Sequence, residues 1–221
     1  VTLPDEIRQR GITEVVHFTT QRGIVGVLAS QELQSRYRLP QDKYLEFVLH
    51  VNSAIRPESA AFFDKTQNWL DYVNLSMSEI NRRYLKVSQR WHQHASHIWW
   101  GILAFDAEIM THEGVFFTTT NNSYEPHCIR AAGADGFSSL FAPRIQRKET
   151  WWVDRQGRAA HLPTCEQAEV LYPGAISTKY LRRIYVAEDE QQDQTRGWLR
   201  EFDVPNVEVV VDQKKFLGQP N

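Results

Sequence analysis

Polar and apolar residues alternate in Tyr72-Val73-Asn74-Leu75-Ser76, so Val73 and Leu75 fall on one side of a predicted strand and Tyr72, Asn74 and Ser76 share the other. Residues 15–19 read as a second strand, after which Thr20 is placed to cap a helix carrying Ile24, Val27 and Leu28 on one face. Ser78 is expected to cap another helix, with Ile80, Tyr84, Val87 and Trp91 along its apolar stripe and Arg82, Arg83, Lys86 and Arg90 outside. Dense β-branched and aromatic residues predict strands over 98–105 and 114–120. Further strands are expected over 168–171, 182–186 and 207–211, with a short helix over 195–202. Pro173-Gly174 marks a turn after the first of these. Residues 31–43 are polar and basic and contain Pro40, and so read as loop. Residues 44–51 fit strand or helix, and Pro57 suits the first turn of a helix running to about residue 68. Residues 130–165 lack a period and read as a long loop region with short elements, a length usually tied to function. Strands and helices mix without regular βαβ alternation, and no glycine-rich dinucleotide or phosphate motif is present. The expected fold class is α+β.

Composition adds limits. The 221 residues, 42% hydrophobic and 12% aromatic, suffice for one core, so a single domain over 1–221 is expected. The net charge of -2 supplies no overall field for nucleic acid or anionic lipid, so any polyanion site must be local. Cys128 and Cys165 are too few for a disulfide framework and lack metal-ligand spacing, which suits a reducing cytoplasm. No long apolar run predicts a membrane span.

His17-Phe18-Thr19 with its following helix, the 72–76 strand, Gln167-Ala168-Glu169-Val170-Leu171 and Arg182-Arg183-Ile184-Tyr185-Val186 together resemble the DarT family, bacterial toxins that ADP-ribosylate nucleic-acid bases. The resemblance runs from about 15 to 186, and the stretch 114–122 is similar to the branch whose target is guanine rather than thymine. It implies an ADP-ribosyltransferase-like fold, two antiparallel sheets forming an NAD cleft with flanking helices. By the same resemblance, Glu169 is the catalytic glutamate. His17, Thr19, Tyr72, Asn74 and Ser76 face NAD, and Arg56 is the NAD-binding arginine, with Arg36 and Arg38 as alternatives. Thymine-modifying members typically carry Phe-Tyr-Phe where this chain has Asn74-Leu75-Ser76. Arg144, Arg147, Lys148, Trp151 and Arg155 precede the glutamate where the family positions its acceptor. The implied activity is mono-ADP-ribosyl transfer from NAD, without metal, to a base in single-stranded DNA, with RNA as the alternative and protein less favoured. The implied setting is a toxin–antitoxin or phage-defence system with a cognate antitoxin, for which a macrodomain protein that removes ADP-ribose is one form.

The chemistry suits these residue types. Breaking the nicotinamide–ribose bond spreads positive charge over the anomeric carbon and ring oxygen, and a carboxylate held nearby stabilises that transition state more than the ground state. The same group can take a proton from an incoming base nitrogen. His17 and Thr19 stand two apart on a strand and leave one face together. Pattern alone reads Glu169 as a strand-edge residue and His17 as a core histidine; the resemblance reverses both. Glu166 is expected to face solvent. His92, His94 and His97 invite a zinc reading, but on a helix only His94 and His97 align and no cysteine or carboxylate pair completes the set. A non-catalytic nucleic-acid-binding module is the remaining rival.

Overall fold

The computed structural model describes residues 1–38, 69–92, 97–124 and 126–221. Helix α1 (Leu3–Gln9) precedes strand β1 (Glu14–Thr20), helix α2 (Gln21–Ser30) and strands β2 (Glu32–Gln34) and β3 (Tyr72–Met77). Helix α3 (Arg82–Trp91) leads to strands β4 (Trp100–Asp106), β5 (Phe116–Thr118) and β6 (Arg130–Ala132), then helix α4 (Gly133–Ser139). Strands β7 (Arg144–Lys148), β8 (Trp151–Asp154), β9 (Glu169–Pro173), β10 (Ala175–Ser177) and β11 (Leu181–Val186) follow. Helix α5 (Asp189–Glu201) and strand β12 (Glu208–Val211) complete the order.

Among the described residues, eight strands form one sheet in the order β12-β11-β4-β1-β3-β9-β5-β6. Among these described strands only the β11–β12 pair is parallel. β1 pairs with β4 along its whole length, from Glu14↔Asp106 to Thr20↔Trp100. Its pairing with β3 stops after Val15↔Met77 and Val16↔Ser76. The expected two antiparallel sheets are thus two halves joined by a seam two residue pairs wide, and beyond Val16 the halves are free of each other's ladder. Alternation along the strands divides the core: Val15 and Leu103 join a large cluster with Val73, Leu75, Phe117 and Val170, while Val16, Ile102 and Ala104 pack with Ile80 and Leu85 beneath α3. α2 buries Ile24, Val27 and Leu28 and is capped by Thr20, whose hydroxyl accepts from the Gly23 N–H.

Several elements differ from their expected form. The helix after β3 is capped by Asn81, whose side chain accepts from Tyr84 N–H at 3.0 Å, while Ser78 lies upstream with a φ of 60°. Leu85 and Ser88 face inward and Val87 is 37% exposed, so the buried stripe lies one residue further along than expected. α5 begins at Asp189, a turn and a half before the expected start. Residues 32–34, expected as loop, pair as β2 with β10. The stretch 130–165 holds β6, α4 and the β7–β8 hairpin, each too short to display a period. The strand or helix expected over 44–51, the helix after Pro57 and Arg56 itself lie outside the described residues.

Gly174 turns β9 into β10 at a φ of +71°, a conformation that favours glycine. Its carbonyl accepts from Ser35 N–H at 2.7 Å, and its N–H donates to the Asp71 carbonyl at 2.8 Å. Arg38 crosses the same turn and binds Asp71 through two nitrogens, at 2.8 and 3.1 Å.

Candidate functional site

Glu169 opens β9 opposite Thr118 of β5. The Thr118 hydroxyl accepts from Glu169 N–H at 3.2 Å and donates to the Thr120 carbonyl at 2.8 Å, which locks the start of the strand. On the half-buried carboxylate, Oε2 accepts from Asn74 Nδ2 at 3.1 Å and from Asn122 N–H at 2.9 Å. Arg130 in turn donates to both the side-chain and main-chain oxygens of Asn122. Register places Asn74 and Phe116 opposite Leu171 and Tyr72 opposite Pro173, so Tyr72, Asn74, Phe116 and Glu169 share one sheet face. Trp69, Tyr72 and Phe116 meet there with ring centroids 5.2 to 6.1 Å apart, and the Arg130 guanidinium lies 5.1 Å from the Trp69 ring. Ser76 is half-buried on the same face, opposite Val16.

His17 reaches this group from the other half of the sheet. Strand alternation puts its side chain with Val15, away from the Glu169 face, but the β1–β3 ladder has ended one residue earlier. The ring turns into the gap, with Nδ1 2.9 Å from the Asn74 carbonyl oxygen. A carbonyl only accepts, so Nδ1 carries the proton and Nε2 is left as the acceptor in the neutral ring. Burial lowers the His17 pKa below 6.5, against the smaller opposing effect of the Asn74 carbonyl, which keeps the imidazole neutral. Asn74 therefore binds His17 through its main chain and Glu169 through its side chain. Thr19 is half-buried, and its hydroxyl lies on the first turn of α2, where a Cβ at Gly23 would come within 1.9 Å of it.

The basic and aromatic residues before β9 separate into two groups. Arg144, Lys148 and Trp151 are exposed on the β7–β8 hairpin, as is Trp152; Arg144 stacks 4.9 Å from the Trp152 ring, and Lys148 lies 4.5 Å from that of Tyr124. Arg147, expected to face nucleic acid, has a side chain with no exposed surface. A bulge between Gln146 and Lys148 turns it inward, where it donates to Cys165 Sγ at 3.0 Å and to Asn221. Arg155 donates to the carbonyls of Leu162, Ala159 and Ala160, which braces the loop after β8 rather than presenting its guanidinium outward. Burial lowers its pKa. Glu166, expected to face solvent, is buried and paired with Arg83. Of the alternative arginines, Arg38 is engaged by Asp71 and Arg36 is half-buried.

Asn122 and Thr118 support the carboxylate without having been singled out from the sequence, and Arg130, read there as one of the basic residues suited to phosphate, donates to Asn122 instead. The 114–122 stretch reads from the sequence as a strand and for its branch, while its threonines 118–120 and Asn122 are buried and form a polar scaffold. Of the histidine group, which lies beyond the end of α3, His92 Nδ1 donates to the Ser88 carbonyl at 2.9 Å and His97 lies 3.3 Å from Arg22; His94 is outside the described residues. Among the described residues no three His, Cys, Asp or Glu side chains are grouped to hold a metal, and no helix is long and apolar enough to cross a membrane.

A family model described as "ssDNA thymidine ADP-ribosyltransferase, DarT" matches residues 16–217. No curated protein matches the sequence. Among solved structures, Thermus sp. 2.9 DarT in complex with carba-NAD+ aligns at a TM-score of 0.61 with 14% identity, over 92% of this chain and 97% of that one. The same protein in complex with ADP-ribosylated ssDNA gives 0.61 and 14%, over 93% and 96%. Thermosipho africanus DarTG in complex with ADP-ribose gives 0.54 and 14%, over 94% of this chain and 52% of that chain. The family description names thymidine, which lends no support to the guanine branch expected from 114–122. Because the family model takes in nearly all of the chain, from β1 to the turn beyond β12, this protein belongs to the DarT family of NAD-dependent ADP-ribosyltransferases.

Proposed function

We propose that the protein transfers ADP-ribose from NAD to a base in single-stranded DNA, thymine ahead of guanine, with Glu169 as the catalytic carboxylate. The observation that carries this reading is the double tether on Glu169 Oε2 from Asn74 and Asn122, on a face walled by Trp69, Tyr72 and Phe116. A carboxylate held in place before reaction stabilises the oxocarbenium-like charge without reorganising, the source of most electrostatic catalysis. The aromatic wall supplies a stacking surface for an unpaired base, and the same oxygen pair takes the proton that leaves the base nitrogen. His17, with a neutral Nε2 acceptor, and Thr19 bind the ribose or nicotinamide side of NAD, and Tyr72, Asn74 and Ser76 line the opposite wall. Arg56 contributes the guanidinium for the NAD phosphates. Thymine takes precedence because the family description names it, and the solved relative carrying ADP-ribosylated ssDNA supports a single strand as acceptor.

Unreversed base modification blocks replication, so the enzyme acts as a toxin within a toxin–antitoxin or phage-defence system, and its antitoxin is a macrodomain protein that removes the adduct. The test is transfer of labelled ADP-ribose from NAD to thymine-, guanine-, adenine- and cytosine-containing single strands, to RNA and to protein in parallel. Label on thymine DNA is expected, falling at least about 100-fold in Glu169→Gln, in line with the loss of one electrostatic catalytic group. Label confined to protein would sink the proposal.

A further inference from the structure

Arg130, Thr118 and Glu169 lie in one row across the sheet, since Arg130 of β6 pairs with Thr118 of β5 and Thr118 with Glu169 of β9. Directly paired positions put their side chains on the same face, so the guanidinium stands on the face that carries the carboxylate. Its Nε donates to the Asn122 side-chain oxygen and its Nη2 to the Asn122 main-chain oxygen, eight residues back along the chain. The Asn122 N–H in turn donates to Glu169 Oε2 at 2.9 Å. The guanidinium also lies 5.1 Å from the Trp69 ring, a cation–π contact that restricts the swing of its plane.

The effect of this clasp follows from where Asn122 sits. It belongs to the connection between β5 and β6, outside the strands themselves. Local bonds shape that connection: Asn121 Oδ1 accepts from Ser123 N–H at 2.9 Å, and Tyr124 N–H donates to the Asn121 carbonyl at 2.9 Å. These join the turn to itself, whereas Arg130 ties it to a strand in register with the start of β9. The group that meets Glu169 is a main-chain N–H, so its contribution depends on where the backbone is held and not on the side chain Asn122 carries. Two parallel N–H groups on one edge of a guanidinium meet both Asn122 oxygens at once; a lysine ammonium is a point donor and cannot reproduce that fork. Placement matters at the reacting centre, where a shift of about 1 Å costs up to about 100-fold in rate.

We propose that Arg130 is a positioning residue for the transfer reaction, acting on Glu169 through the Asn122 backbone rather than by binding a phosphate of NAD or of the strand. The inference rests on Glu169 being the carboxylate of the reaction proposed above, and adds the residue that aims it. Glu169 acts at the nicotinamide–ribose bond, so the influence of Arg130 falls on the breaking of that bond whatever receives the ADP-ribose.

The test is a double-mutant cycle in the full chain, comparing Arg130→Lys, Asn122→Ala and the pair by the rate of ADP-ribose transfer from NAD to single-stranded DNA. Urea midpoints establish that each variant is folded, and Arg130→Gln takes the place of a lysine variant that is not. Arg130→Lys is expected to lower kcat about tenfold and to leave the KM for NAD within about twofold of wild type. Asn122→Ala keeps the main-chain oxygen and N–H and is expected to lower kcat less. The pair is expected to match Arg130→Lys alone, because both changes release one clasp; losses that multiply show that Arg130 acts independently of Asn122 and overturn the proposal. An unchanged kcat in Arg130→Lys overturns it too, as does a raised KM for NAD with kcat retained. Strand affinity supplies a separate readout: if Arg130→Gln reduces its salt slope by about one, Arg130 meets a strand phosphate and the positioning role falls. Full transfer by Glu169→Gln overturns the reading on which the proposal rests. Label confined to protein in the wild type overturns the DNA reading alone, and the same cycle on that acceptor then decides the role of Arg130.

Discussion

Asn74 is the residue on which the two halves of the candidate site meet, through its carbonyl to His17 and its amide to Glu169. Asn74→Ala keeps the carbonyl and removes the amide, so it separates the two contacts. A hydrogen bond to a charged group contributes about 1.5–3 kcal/mol, so kcat is expected to fall about 10- to 100-fold with KM for NAD little changed. Steady-state kinetics check this; an unchanged kcat would remove Asn74 from the positioning of Glu169. His17 carries a pH signature of known sign. Its folded pKa lies below 6.5, so the unfolded chain takes up the proton first, and stability is lost as pH falls from about 6.5 toward the folded pKa. Urea unfolding at pH 7.5 and 5.5 is expected to show lower stability at the acidic pH, and His17→Gln to shrink the difference. Residue types were legible here: a strand carboxylate and a strand histidine were visible in sequence. That they meet through Asn74 was not, because residues 17, 74 and 169 come together only through strand pairing.

At the level of elements, the strands with clear alternation or dense apolar content, β1, β3, β4 and β9, and the Thr20-capped α2 were readable because each carries its own local signal. The stretch 130–165 was not, since β6, α4, β7 and β8 are three to seven residues long and are stabilised by what they pack against. The junction of β6 and α4 illustrates the point. A Cβ at Gly136 would lie 2.1 Å from the Ala131 carbonyl oxygen, a main-chain atom that cannot rotate away. Gly136→Ala is therefore expected to destabilise the fold by about 1–3 kcal/mol through overpacking, despite alanine's better helix propensity. Chemical denaturation checks this, and a stabilised variant would show that α4 is not held against β6 as described.

Across the whole molecule, a net charge of -2 leaves strand binding to local basic residues. If Arg83, Arg144 and Lys148 meet about three phosphates, log affinity for single-stranded DNA is expected to fall with log salt at a slope of roughly -2. Fluorescence anisotropy between low and moderate salt measures it, and a slope near zero would exclude a phosphate-contacting role for these three residues. By itself the sequence determined the local facts: which strands alternate, where α2 starts, and that a glutamate stands at the head of β9 before a Pro-Gly turn. These follow from side-chain period, capping and turn chemistry, which act over a few residues. Tertiary structure alone decided that the β1–β3 ladder stops at Val16, opening the gap His17 fills, and that Arg147 is sealed beside Glu166 and Asn221 while Arg144 stays in solvent. A charge on a side chain does not state its own exposure; that depends on partners brought from distant parts of the chain.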